Sequence, residues 1–190
     1  MLVLVLGLAI FLGTHLFTTQ RRLRATVLES MGEGPFKLAY SVLSLLGLVL
    51  IVVGYGQARE AGSVEVWTPP STLRHLALLL NLPIFVLIAA AYLPGRIKEV
   101  TKHPMLLAVK LWALAHLLAN GDLASILLFG SFLAWAVLAR ISLKKREAVE
   151  GRPERSGPAR NDALAVAIGL VLYAVTITWL HPLLIGVPVV

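Results

Sequence analysis

The chain has 190 residues, with 17 Lys and Arg against 10 Asp and Glu, and 58% of its residues are hydrophobic while only 14% are charged. An average soluble domain has roughly 45–50% apolar and about 25% charged residues, so the composition excludes an ordinary water-soluble protein. Its basic residues lie in loops between apolar runs, so their excess does not indicate nucleic-acid binding. The absence of cysteine excludes disulfides, iron–sulfur clusters and thiolate-ligated haem.

Apolar segments long enough to cross a bilayer follow one another along the chain, since a helical span needs about 20 residues. The sequence predicts an all-α bundle, a single domain over residues 1–190. The predicted spans are residues 1–18, 37–56, 74–94, 104–120, 123–141 and 163–181. The fourth span contains Lys110 and is counted because Asn120-Gly121-Asp122 predicts a turn into the fifth. Residues 143–162 are charged and contain Pro153, Gly157 and Pro158, which predicts a flexible cytoplasmic linker.

The distribution of basic residues predicts the orientation. If the N-terminus lies outside, most of the 17 Lys and Arg fall in cytoplasmic loops, as the positive-inside rule requires. We therefore expect a multi-pass protein of the bacterial inner membrane with both termini in the periplasm. The first apolar run has no basic residue before it, so we expect it to remain as an uncleaved helix.

Polar side chains inside a bilayer are functional candidates because burying them in hydrocarbon costs free energy. His75 and His181 lie near span ends, where hydrogen bonding at the interface is the ordinary role, and His103 opens the fourth span before Pro104, where it would cap the helix start. His15 and His116 lie further inside spans. Two imidazoles in a cysteine-free membrane protein suit a b-type haem, and proton transport is the alternative.

The fourth span concentrates the other candidates. His116 shares a helix face with Trp112 and Asn120. His103 and His116 project about 220° apart at 3.6 residues per turn, so both cannot face one haem. Lys110 has no carboxylate at its depth in the sequence. It either extends its ammonium to the cytoplasmic surface or pairs with a ligand anion.

Motifs of soluble enzymes are missing from the sequence. We find no HExxH, GxSxG, P-loop or GxGxxG pattern, and no paired carboxylates within the spans. The sequence therefore names no catalytic residue.

Several stretches together resemble the NnrU family. They are Gly32-Glu33-Gly34-Pro35-Phe36-Lys37 with Tyr40-Ser41, then residues 53–59, 67–70 and 91–95, and the run from Lys102-His103-Pro104 through His116 to Asp122. The resemblance implies a bacterial inner-membrane protein associated with denitrification, in nitrite and nitric oxide reduction. It also implies kinship with the plant cis-zeta-carotene isomerase, a membrane haem b enzyme.

The resemblance to that isomerase also implies site residues. His15 and His116 match its haem-ligating histidines, whereas Ala113 stands where the plant enzyme has a cysteine. The expected site therefore has haem b with His15 and His116 as axial ligands and Lys110 and Trp112 beside it. His103, His75 and His181 are alternates.

Three functions follow as expectations from the resemblance. The leading one is a haem protein linked to nitrogen-oxide respiration, with redox-dependent cis–trans isomerisation of a polyene or another lipophilic molecule as its activity. The second is a non-enzymatic accessory factor for a nitrogen-oxide reductase. The third follows from a resemblance to isoprenylcysteine carboxyl methyltransferases, in which Lys102 and His103 would help to hold S-adenosylmethionine.

Overall fold

The structure is a computed structural model that describes residues 1–151 and 157–189. Within these ranges the chain is helical, with one isolated bridge between Glu65 and Asp122 and no strand, which confirms the predicted all-α class. The helices are α1 (Leu2–Phe17), α2 (Arg21–Met31), α3 (Glu33–Glu60), α4 (Ser71–Tyr92), α5 (Arg96–Thr101), α6 (Pro104–Ala119), α7 (Leu123–Glu150), α8 (Ala159–Val175) and α9 (His181–Ile185), with a π-helical turn at Thr176–Leu180.

Four helical segments among the described residues are long and apolar enough to cross a membrane: α3, α4, α7 and the continuous stretch Ala159–Ile185. A fifth is reached if α1 and α2, which meet at a bend of 89°, form one broken span. Each predicted span coincides with a helix, but α1 and α6 have only 16 residues each. At 1.5 Å per residue such a helix is about 24 Å long, short of a hydrocarbon core of about 30 Å. Six spans therefore remain a prediction.

Three segments expected as loops are helical. Arg21–Met31 forms α2, Arg96–Thr101 forms α5, and α7 continues through Glu150 into the predicted linker. The reason is local, because no glycine or proline interrupts these segments. α2 ends at Gly32 with φ 81°, and α7 ends at Gly151 with φ 76°. Residues 152–156 of the predicted linker lie outside the described residues.

The first of two compact units comprises Met1–Pro69 and Asn120–Ser142. In it α1 packs closely against α3 through glycines. A Cβ on Gly47 would lie 2.7 Å from the backbone nitrogen of Phe11, and one on Gly7 would lie 2.6 Å from that of Ile51. Helix pairs in membranes use small residues in this way so that their backbones approach.

One end of the first unit is fixed by a network around the start of α7. The Asp122 carboxylate caps α7 by accepting from the backbone N–H of Ser125 at 3.0 Å, and it also accepts from the Ser125 hydroxyl. Since that hydroxyl donates its proton to Asp122, the Tyr55 hydroxyl must donate to Ser125 Oγ, at 2.9 Å. Ser125 is fully buried, so this network satisfies a polar group that burial would otherwise penalise.

The second unit comprises Pro70–Ala119 and Leu143–Val190. Here α4 packs against both α6 and α8. A core of Ile84, Leu87 and Ala108 joins α4 to α6. Asp162 of α8 accepts hydrogen bonds from the backbone N–H groups of Arg96 and Ile97, at 2.9 and 3.0 Å, and so attaches the start of α5 to α8.

Candidate functional site

His15 lies near the end of α1 in a fixed orientation. Its Nδ1 is 2.7 Å from the carbonyl oxygen of Phe11, one turn earlier, and its ring stacks on the Phe11 ring at 4.2 Å. A carbonyl only accepts hydrogen bonds, so Nδ1 carries a proton, and in the neutral form of the ring the lone pair lies on Nε2. No described residue makes a hydrogen bond to this Nε2.

Aromatic side chains of the same unit surround His15. The Tyr40 ring of α3 lies 5.5 Å from the imidazole, and the Trp135 ring of α7 lies 5.7 Å away at 90° to it. Ser44 lies on the same face of α3 between Tyr40 and Gly47, at the spacing of four and three residues that places side chains on one face. We call Phe11, His15, Tyr40, Ser44 and Trp135 the His15 box.

Two buried polar atoms of the His15 box have no hydrogen-bond partner among the described residues: Trp135 Nε1 and Ser44 Oγ. Buried polar atoms are nearly always hydrogen-bonded in folded proteins, so each such atom calls for an acceptor or donor from outside the chain. Together with Nε2 of His15, they give an aromatic site with polar atoms suited to an amphipathic ligand.

His116, on α6 in the second unit, repeats the arrangement of His15. Its Nδ1 lies 2.8 Å from the carbonyl oxygen of Trp112, one turn earlier, and the two rings lie 5.4 Å apart. The Trp112 ring packs in turn on the core of Ile84, Leu87 and Ala108. This hydrogen bond likewise directs the ring's lone pair to Nε2. In metal sites a histidine ligand is commonly oriented by such a bond from its other nitrogen.

The alternate histidines have different surroundings. His103 Nε2 lies 2.8 Å from a carboxylate oxygen of Glu147, and both side chains are largely buried. One of the two ring nitrogens of His103 is thus already engaged by Glu147. His181 places Nδ1 2.9 Å from the carbonyl of Val187, and His116 and His181 are near enough to interact electrostatically. His75 is exposed near the start of α4.

The predicted site residues divide between the two units. His15 belongs to the first unit, and Lys110, Trp112 and His116 share α6 of the second. Within the described residues no three His, Asp or Glu side chains gather at metal-binding distance.

Sequence reasoning missed Tyr40, Ser44, Trp135 and Glu147. A usable signal existed for the α3 residues, because Tyr40, Ser44, Gly47, Ile51 and Gly54 recur every three or four positions on one helix face. Nothing in the sequence indicated that Trp135 faces His15, since that contact joins helices far apart in the chain.

A comparison with known protein families shows which family the chain belongs to. The family described as NnrU protein matches residues 3–189. The chain belongs to the NnrU family. No curated protein and no solved structure matches it significantly. The NnrU match covers both units and every described helix.

Proposed function

We propose that this NnrU-family membrane protein binds haem b, with Nε2 of His15 and of His116 as the axial ligands. The observation that carries the proposal is the repeated arrangement in which each histidine donates its Nδ1–H to the carbonyl four residues earlier and contacts that residue's aromatic ring. In the neutral ring this arrangement leaves the lone pair on Nε2, the atom that would ligate the iron, and it orients the ring before any metal binds.

The residues present fit such a group in their chemistry. With no cysteine in the chain, imidazole is the natural axial donor, and the His15 box supplies an apolar aromatic wall. Haem also carries carboxylates, and Lys110 of α6 offers a cation to one of them. Haem b supplies one-electron redox chemistry when bound.

In this proposal the chain's own residues bind and orient. Phe11 and Trp112 hold the imidazole rings, and the apolar helices exclude water and admit a lipophilic molecule. The activity we propose is redox-dependent cis–trans isomerisation of a polyene or related lipophilic substrate, within bacterial denitrification. The protein would act in the inner membrane with both termini in the periplasm.

The test is the optical spectrum of the detergent-purified protein expressed with ample haem. Wild type should show a six-coordinate, low-spin haem spectrum with reducible α and β bands. His15→Ala and His116→Ala should each lose it, while His75→Ala and His181→Ala, the matched controls, should keep it.

Each other outcome has a definite meaning. A wild-type spectrum in His15→Ala or His116→Ala contradicts the ligand pair. Loss in His181→Ala alone, with His15→Ala unchanged, would replace His15 by His181 as the partner of His116. Folded wild-type protein without haem favours a haem-free accessory factor. Haem-loaded protein that leaves cis-polyenes unchanged contradicts the isomerase activity alone.

A further inference from the structure

Two buried polar atoms beside His15 need a partner that the described residues do not provide. Trp135 Nε1 and Ser44 Oγ are buried without a hydrogen bond. Trp135 stands edge-on to the His15 ring at 5.7 Å. Ser44 lies one turn from Tyr40, whose ring is 5.5 Å from His15. Trp135 therefore lies beside the ring whose Nε2 is directed to a ligand, and Ser44 shares the α3 face of Tyr40, which also contacts that ring.

The missing partner must match the hydrogen-bonding chemistry of Trp135 Nε1 and Ser44 Oγ. An indole N–H only donates, and a serine hydroxyl can donate or accept, so a single group that satisfies both must be able to accept hydrogen bonds. An oxygen atom of the ligand meets this requirement, whereas an apolar ring does not.

Charge favours a carboxylate over a neutral carbonyl. The α2 helix, which follows the helix that holds His15, carries the basic residues Arg22 and Arg24. An anionic oxygen would gain from this field, and hydrogen bonds to charged groups are stronger than those to neutral ones.

We propose that Trp135 Nε1–H and the Ser44 hydroxyl form a hydrogen-bonding subsite for a carboxylate of the haem whose iron His15 ligates. The inference rests on the proposed function and names residues that the family resemblance did not supply. Trp135 and Ser44 are positioning residues, because they hold the edge of the ligand and not its metal.

The experiment compares two probes on purified apoprotein: haem b, and its dimethyl ester, in which the carboxylates are esterified. Trp135→Phe keeps an aromatic ring and removes only the N–H. It should weaken haem b binding about tenfold, the usual effect of losing a hydrogen bond to a charged group. It should weaken binding of the ester less, because the ester carbonyl accepts hydrogen bonds without carrying a charge. Ser44→Ala should show a smaller loss with the same dependence on the probe.

The matched control is Trp179→Phe, because Trp179 is 69% exposed and lies outside the His15 box. It should bind both probes like wild type. The melting temperature of each variant in detergent confirms that it is folded. Should Trp135→Phe prove unstable, Ser44→Ala tests the idea by itself, because it should lose more affinity for haem b than for the ester.

The outcomes separate this inference from the proposed function. Equal affinity of wild type and Trp135→Phe for haem b overturns the subsite and leaves the axial ligands standing. Equal losses for haem b and the ester show a packing role and also overturn it. Failure of wild type to bind haem overturns both proposals, and loss of binding in His15→Ala with Trp135→Phe unaffected supports the axial ligand alone.

Discussion

Single residues in this protein take their state from neighbours one turn away. His15 and His116 have their tautomer set by a backbone carbonyl four residues earlier. The ionised form of the Asp122 carboxylate is stabilised by hydrogen bonds from Ser125, three residues later. Burial by itself raises the pKa of Asp122. Hydrogen bonds from the hydroxyl and N–H of Ser125 and from the Ser63 hydroxyl lower the pKa by a larger amount, so it lies below the usual 3.8.

The shift of Asp122 predicts a pH dependence of stability. Since its pKa is lower in the folded than in the unfolded chain, the ionised carboxylate stabilises the fold at pH values above about 3.8, and this contribution disappears as the pH falls through the folded-state pKa. Asp122→Asn should therefore melt at a lower temperature than wild type at pH 7, and the difference should shrink below pH about 4. Thermal unfolding in detergent across this pH range measures it.

The matched control for Asp122 is Glu60→Gln, because Glu60 is an exposed carboxylate at the end of α3. This variant should melt like wild type at neutral pH. If the gap between wild type and Asp122→Asn stays constant from pH 7 to pH 3, the hydrogen bonds to Asp122 do not depend on its charge.

At the scale of elements, the contact between α1 and α3 depends on glycine. Gly47 and Gly7 bring the two backbones together, and the helix face that contains Gly47 continues to Ser44 and Tyr40. Phe11 lies directly against Gly47, and the Phe11 carbonyl orients His15. A change in the contact between α1 and α3 at Gly47 would therefore also move the carbonyl that orients His15.

Adding one methyl group at this contact should be costly. Gly47→Ala would place Cβ 2.7 Å from the Phe11 nitrogen and 2.9 Å from its Cα, and backbone atoms cannot turn aside as a flexible side chain does. We expect a loss of about 1–3 kcal/mol in the free energy of unfolding, as for other overpacked sites. We also expect weaker haem retention, because Phe11 must shift.

Gly56→Ala provides the control on the same helix. Nothing lies within 4 Å of a Cβ at Gly56, so the variant should be neutral or slightly stabilising through alanine's higher helix propensity. Chemical unfolding in mixed micelles compares the two variants. Equal stability of Gly47→Ala and wild type would mean that α1 and α3 are less closely packed than described.

For the whole molecule, helix length determines which segments can cross the bilayer by themselves. Four helical segments are long enough, and α1 reaches that length only together with α2, across the 89° bend. The proposed orientation places the start of α1 in the periplasm and the end of α7 in the cytoplasm, because this choice puts most of the basic loop residues in the cytoplasm, as the positive-inside rule requires.

Reporter fusions test this orientation. Fusions after Glu150 should report a cytoplasmic location, and fusions after Gly62 and at the C-terminus should report a periplasmic one. A tag at the N-terminus should be accessible from the periplasm if α1 crosses alone. A cytoplasmic N-terminus with the other fusions unchanged would show that α1 and α2 enter and leave the bilayer on one side, and five spans would then remain.

The amino-acid sequence alone was sufficient for the class of protein and the place of its helices. Apolar runs in a lipid solvent must form helices because every backbone N–H and C=O needs an internal partner, so each predicted span coincides with a helix. The turn between α6 and α7 was predictable at Asn120-Gly121-Asp122 because these residue types favour turns, and the structure adds that Gly121 leaves no room for a Cβ beside Trp67. The NnrU membership rests on sequence as well.

Only the tertiary structure decided which side chains meet. Trp135, Tyr40 and His15 come from three helices, and hydrophobic periodicity cannot say which faces of equally apolar helices will contact each other. The pairing of His103 with Glu147 was hidden for the same reason, and because residues 143–150 were expected in a linker. Burial of individual atoms is also visible only in the structure. Trp135 Nε1 and Ser44 Oγ became candidates for ligand contact because they are buried without a hydrogen-bond partner.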